Sequence, residues 1–224
     1  MKKWIVLISF LLLLVGLFFI KGNYFYSAKK ALFNSKNTKQ LITDRDVREG
    51  DIIFQESLSS QSRAIQLATK SKYSHCGIIY KSGDKYYVFE AVQPVKLTPL
   101  DKWIKRGKDS HYVVKRLKNN ELLTSAILKR MKKEGEKFMG KSYDLTFEWS
   151  DDKIYCSELI WKIYKRGLNI EVGKLQTLKD FGLSNKIVKQ KLQERYKDNI
   201  PLGEIVISPV SIFESDKLET VISN

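Results

Sequence analysis

An uncharged apolar run at residues 4–20 (WIVLISFLLLLVGLFFI) precedes a longer stretch in which apolar and polar positions alternate in short blocks. The run is 17 residues long. As a helix it reaches about 25 Å, slightly short of a bilayer core of about 30 Å. Lys2 and Lys3 precede it, and Trp4 and Tyr24 stand near its ends, where interfacial aromatics belong. No A-x-A cleavage site follows, the nearest small pair being Ser27-Ala28. No cysteine follows directly either, which excludes a lipoprotein. The segment reads as a retained anchor, with a cleaved export signal as the alternative. Lys21, Lys29 and Lys30 leave the orientation open by charge. A signal ahead of one globular domain normally exports that domain, so the domain is expected outside the cytoplasm. Residues 1–22 are thus the anchor, 23–46 a polar, basic tether, and 47–224 the domain.

Within the domain, residues 51–55 (DIIFQ) predict a buried strand, and residues 60–70 carry Ala64, Ile65, Leu67 and Ala68 at helical spacing. Residues 75–80 (HCGIIY) and 85–92 (KYYVFEAV) predict a hairpin turning at Ser82-Gly83. Residues 111–117 predict a further strand. Residues 121–138 predict a long helix with Leu123, Ile127, Leu128 and Met131 on one face. Residues 155–166 (YCSELIWKIYKR) predict a second helix, ended by Gly167 and preceded by Asp151 and Asp152, which suit its positive end. A helix at 189–196 and a last strand at 204–208 complete the pattern. Mixed helices and mainly antiparallel strands predict an α+β fold.

The net charge of +15 is spread along the chain. It favours anionic partners such as anionic lipid or an acidic wall polymer, and equally describes a solvated lysine-rich surface. No zinc-finger spacing or RNA-binding aromatic motif accompanies it, so nucleic acid is not expected. Two cysteines and two histidines are too few for a dedicated Cys/His metal site unless carboxylates join, and no cofactor is expected.

Cys156 lies at the start of a predicted helix, where the dipole depresses a thiol pKa and free N–H groups await an oxyanion. The ordinary alternative is an inert buried thiol. His75 opens a strand and suits a general base, or is simply a structural histidine. A two-residue loop at Ser82-Gly83 pairs Lys81 with Asp84 and, continued along the hairpin, sets His75 directly opposite Glu90. Cross-strand partners share a face, about 5 Å apart, and a carboxylate there orients the imidazole. Glu90 stands among Val88, Phe89, Ala91 and Val92, where an unpaired charge is costly. Cys76, next to His75 in an extended strand, is expected to point to the opposite face, into a core. His111 lacks a comparable carboxylate partner.

Five motifs in order carry a family resemblance: Gly50-Asp51-Ile52-Ile53-Phe54, Ser74-His75-Cys76-Gly77-Ile78, Phe89-Glu90-Ala91, Tyr143-Asp144 and Tyr155-Cys156-Ser157-Glu158-Leu159. Together they resemble the permuted papain-fold hydrolases of the NlpC/P60 superfamily, in particular the YiiX/YebB-like group, with histidine ahead of cysteine. The resemblance spans about residues 48–214. It implies a circularly permuted papain-like fold, an antiparallel sheet packed against helices, with Cys156 as nucleophile, His75 as base and Glu90 as third member. Tyr143, Asp144 and Tyr155 fall in matching motifs and are expected to line the substrate cleft. The implied substrate is an amide bond in cell-wall peptide. A lipid acyl hydrolase or acyltransferase is the second reading, and a catalytically silent, membrane-tethered module binding wall polymer or lipid the third.

Overall fold

The computed structural model describes residues 47–224. The anchor and tether expected over 1–46 lie outside the described residues. Among the described residues, no helix is long and apolar enough to cross a membrane.

Six strands form the central sheet: β1 (Ile52–Gln55), β2 (His75–Ser82), β3 (Lys85–Glu90), β4 (Lys96–Pro99), β5 (Val113–Leu117) and β8 (Leu218–Ser223). Their spatial order is β4-β3-β2-β1-β5-β8, with every neighbouring pair antiparallel. A separate ladder joins β6 (Gln176–Thr177) to β7 (Ile205–Val206). The predicted last strand at 204–208 is thus only this short piece, and the true last strand is β8. The helices are α1 (Ser62–Thr69), α2 (Leu100–Arg106), α3 (Ser125–Glu136), α4 (Cys156–Leu168), α5 (Lys186–Tyr196) and α6 (Pro209–Phe213).

The strand period of two divides the core. Ile52, Phe54, Cys76, Ile78, Tyr80 and Phe89 face one side and pack with Met131 of α3 and Leu159, Ile160 and Ile163 of α4. Ile53, Ile79, Val88 and Val114 face the other, against Leu100, Trp103 and Ile104 of α2.

Four local expectations need correction. The hairpin turns at Gly83-Asp84, with Ser82 paired to Lys85. Gly83, at φ +57°, takes the left-handed first loop position that a tight hairpin requires, and Ser82 remains in the strand. Gly167 does not end α4. The helix continues to Leu168 and Asn169 caps it at φ 58°. Gly167 instead permits close helix contact, since a Cβ there would meet Met131 Cγ at 2.6 Å and its Cα at 2.9 Å. Asp151 does not serve the start of α4, because the preceding loop runs back along the helix. It pairs with Arg166 at 2.7 Å and Lys162 at 2.8 Å. Helix α3 also begins later than predicted, at Ser125, after Thr124 accepts from the Ile127 N–H.

Candidate active site

His75 is the first residue of β2 and Glu90 the last of β3. The register places Ile78 opposite Phe89 and Ile79 opposite Val88, two residues away from the sequence-derived pairing. Continued outward, it sets Gly77 opposite Glu90. A two-residue slip preserves the face, so His75 meets Glu90 on the diagonal. His75 Nε2 lies 2.5 Å from Glu90 Oε2. Gly77 keeps the strands close: a Cβ there would meet Val88 Cγ1 at 2.3 Å.

Glu90 is fully buried (0% exposed) and its carboxylate is saturated. Thr98 Oγ1 donates to Oε1 at 2.6 Å, while Trp103 Nε1 (2.9 Å) and Arg106 Nη2 (2.5 Å) donate to Oε2. The Trp103 ring also stacks on His75, with centroids 5.9 Å apart. None of these three residues was legible in the sequence. The apolar surroundings of Glu90 required partners for its charge, but the unpredicted β4–α2 segment supplies them. Burial raises the Glu90 pKa, yet the hydrogen bonds and charge of His75, with Arg106 and Thr98, hold it at about 2.

Cys156 opens α4 after Tyr155, whose backbone is extended (φ −109°, ψ 167°). No side chain caps this end, so first-turn N–H groups remain for another acceptor. Two bonds fix the helix start to residue 207. Ser157 Oγ donates to Ile207 O at 2.7 Å, and the Ile207 N–H donates to the Tyr155 hydroxyl at 3.1 Å.

The thiol is 3% exposed and interacts with His75. With Nε2 committed to Glu90, Nδ1 is the ring nitrogen left for sulfur. Burial pulls the His75 pKa down, but Cys156 and Glu90 outweigh it and raise it from 6.5 to about 9. A hydrogen bond from Cys76 pulls the Cys156 pKa down, burial opposes it, and His75 adds to the lowering, leaving the thiol well below its usual range. Both shifts favour the charged forms, a thiolate beside an imidazolium.

Cys76 does point away from the His75 face and into a core. That core is the one on which α4 rests, so Cys76 neighbours Cys156. Burial, then the hydrogen bond and charge of Cys156, push the Cys76 thiol well up. Both cysteines are free. His111 lies elsewhere, stacked on Tyr73 and bonded to the backbone of Asn224.

Two cavities meet at this point. One is apolar and includes Cys156, walled by Ala64, Ile65, Phe147, Leu178, Val188 and Leu192. The other is a wider groove of mixed character along Ser74, His75, Gln93, Arg106 and Leu145. Tyr143, Gln61, Lys191 and Arg195 line both. Tyr155 lines the apolar cavity with its hydroxyl already engaged. Asp144 lines neither. Its carboxylate is buried and turned back on Thr146, accepting from N at 2.8 Å and Oγ1 at 2.7 Å.

An antiparallel sheet, a cysteine at a helix start and a histidine that precedes it in the chain define a permuted papain-like protein. The comparisons with known proteins agree. The chain belongs to the permuted papain-like amidase family (YaeF/YiiX, C92), a family of papain-like cysteine hydrolases, whose model matches residues 46–222. It is 49% identical over 172 residues to the uncharacterized protein YiiX of Escherichia coli K12, covering 77% of this chain and 84% of that relative. A crystal structure described as the metalloprotein YiiX of Escherichia coli O157:H7 is similar, with TM-score 0.77 and 49% identity, over 80% of this chain and 98% of that one. Among the described residues here, no group of three or more His, Cys, Asp or Glu side chains is arranged to hold a metal ion.

Proposed function

We propose that this chain is a membrane-anchored cysteine amidase acting outside the cytoplasm on amide bonds of cell-wall peptides. Its triad is Cys156, His75 and Glu90. The observation that carries this reading is the buried, saturated carboxylate of Glu90 held on His75, with the Cys156 thiol at the start of α4 near enough to perturb that histidine. In the reaction, the Cys156 thiolate attacks the carbonyl carbon, and the oxyanion is received by first-turn N–H groups of α4. The His75 imidazolium protonates the departing amine, leaving a thioester. Neutral His75 then takes a proton from water, whose oxygen attacks the thioester and releases the acid and the thiolate. Glu90 stays ionised and orients the ring.

A second reading has a specific observation in its favour. The apolar cavity at Cys156 suits an acyl chain better than a polar wall peptide, and Lys191 and Arg195 at its edge suit an anionic head group. In this reading the enzyme is a lipid acyl hydrolase or acyltransferase. Incubating the purified chain with wall peptides and with phospholipids, followed by mass spectrometry of the products, separates the two. Leu192→Trp sharpens the comparison, since it fills the apolar cavity and leaves the wider groove open. Product from neither substrate class, with Cys156 alkylating like an ordinary thiol, favours a non-catalytic binding module.

A further inference from the structure

Cys76 is a buried thiol that the hydrolytic cycle does not use, yet it lies beside the nucleophile. It projects from the sheet face on which α4 rests, and both cysteines belong to the same apolar cluster. The thiol and backbone of Cys76 are near enough to Cys156 to shift its titration, and Cys156 in turn shifts that of Cys76. Both thiols are free and buried. The two environments differ. Cys156 has His75 and a helix start to hold a thiolate. Cys76 is enclosed by apolar side chains such as Phe54 and Ile78. Reactivity toward an oxidant is therefore concentrated on Cys156.

We propose that Cys76 is the resolving cysteine of Cys156, so that peroxide converts the pair reversibly into a disulfide that switches the nucleophile off and protects it. This rests on the reading of Cys156 as the reactive thiolate. The Cys156 thiolate attacks a peroxide oxygen: an S–O bond forms, the O–O bond breaks, and the departing hydroxide takes a proton from the His75 imidazolium. The resulting sulfenic acid is attacked by the Cys76 sulfur. The S–S bond forms, the S–O bond breaks, and hydroxide leaves as water with the Cys76 proton. Disulfide formation brings the two sulfurs to about 2 Å across the packing of α4 on β2. A thiol reductant reverses the step by exchange. Without Cys76, the sulfenic acid has no partner and proceeds to sulfinic acid, which thiols do not reverse.

The test uses full-length protein in detergent micelles, hydrogen peroxide as oxidant, and peptide mass spectrometry, so that no substrate is needed. Wild-type protein should lose two hydrogens and yield a cross-link between tryptic peptides 73–81 and 154–162. Dithiothreitol should return both thiols. Cys76→Ser, which removes the thiol but keeps a donor, with folding checked by circular dichroism, should instead accumulate sulfinic Cys156 and lose that recovery. Cys156→Ala should leave Cys76 unoxidised under the same exposure. Wild-type Cys156 that over-oxidises as fast as in Cys76→Ser, without the cross-link, overturns the proposal. Iodoacetamide labelling of the reduced protein separates the two failures. A Cys156 that labels at neutral pH but never cross-links sinks the switch alone, whereas one that does not label sinks the thiolate reading with it.

Discussion

Glu90 reaches His75 diagonally, from beside Gly77, with 2.5 Å between Oε2 and Nε2. The residue directly opposite the carboxylate is the one that has no side chain. This lets a fully buried carboxylate lie flat against β2 and engage the ring from the side, with Thr98, Trp103 and Arg106 closing around it.

Glu90→Gln keeps the shape and removes the charge. The His75 pKa should fall below about 9, because the Glu90 hydrogen bond and charge contribute to raising it. The thiolate–imidazolium pair weakens, so alkylation of Cys156 should shift to higher pH. Turnover should drop by roughly tenfold or more, as expected when an orienting carboxylate is lost. Alkylation rate against pH in the two proteins decides this. Superimposable profiles with unchanged turnover would remove Glu90 from the triad.

In the wild type, the same pair sets a stability window. The His75 pKa is higher folded, at about 9, than its ordinary value of 6.5. Its contribution is therefore fully present below pH 6.5 and lost as pH rises through about 9. Thermal melts should show this alkaline loss, and it should be smaller in Cys156→Ala, which lacks the thiolate partner but keeps Glu90. An alkaline limb that Cys156→Ala leaves unchanged contradicts the pairing.

The two cysteines should separate cleanly in catalysis. Cys156→Ala should abolish turnover, while Cys76→Ser, which retains a donor, should keep most of it. Cys76→Ala should raise the apparent pKa of Cys156, because the Cys76 hydrogen bond is the leading cause of its lowering. Turnover that disappears with Cys76→Ser and survives Cys156→Ala would reverse the assignment.

Gly77→Ala should act at a distance from any substrate. The added Cβ meets Val88 Cγ1 at 2.3 Å and the Phe89 carbonyl oxygen at 3.0 Å, so β2 and β3 must part. The expected cost is about 1–3 kcal/mol, the ordinary range for overpacking. His75 and Glu90 also separate, so the alkylation profile of Cys156 should move toward that of Glu90→Gln. Denaturant melts and the pH profile, taken together, test this. A melt shift with an unchanged profile would mean that the strand spacing does not set the relay.

Glu158, buried beside Lys162 at 2.7 Å, carries a different pH signature. Burial raises its pKa from 4.5 to about 8, against the lowering effect of Lys162. The folded state therefore holds this proton more tightly than the unfolded state. Stability should fall as pH rises from 4.5 toward 8. Glu158→Gln should flatten that decline. It should do so without collapse, because Lys162 retains Asp151 at 2.8 Å. Melts across this range measure it, and an unchanged slope in the variant would show that Glu158 is not the group responsible.

What was legible in the sequence followed from periodicity and from chemistry that carries its own context. The alternation in β1 and β2 identified the opposing faces of His75 and Cys76, and Tyr155-Cys156 ahead of an amphipathic run placed the thiol at a helix start. The His75–Glu90 contact was reached through a register two residues out, and it survived because a shift of two keeps side chains on the same face. The enclosure of Glu90 was not legible. Thr98, Trp103 and Arg106 are brought in by β4 and α2, elements too short to impose a period. The place of Cys76 was half legible: the strand gave its face, but only the packing of α4 on that face brings it to Cys156. Gly167 misled because a glycine late in a helix reads as a stop, whereas here it makes room for Met131.

The clamp on Ile207 sets an order in time. His75 and Glu90 emerge from the ribosome well before Cys156, and the segment that grips the start of α4 on both its backbone groups comes some fifty positions later still. A nascent chain that already contains all three reactive groups therefore lacks the grip that holds the sulfur in place. On the proposed function, reactivity arrives only when nearly the whole domain has been made, so an unfinished or clipped chain carries the parts of the relay in an unarmed form.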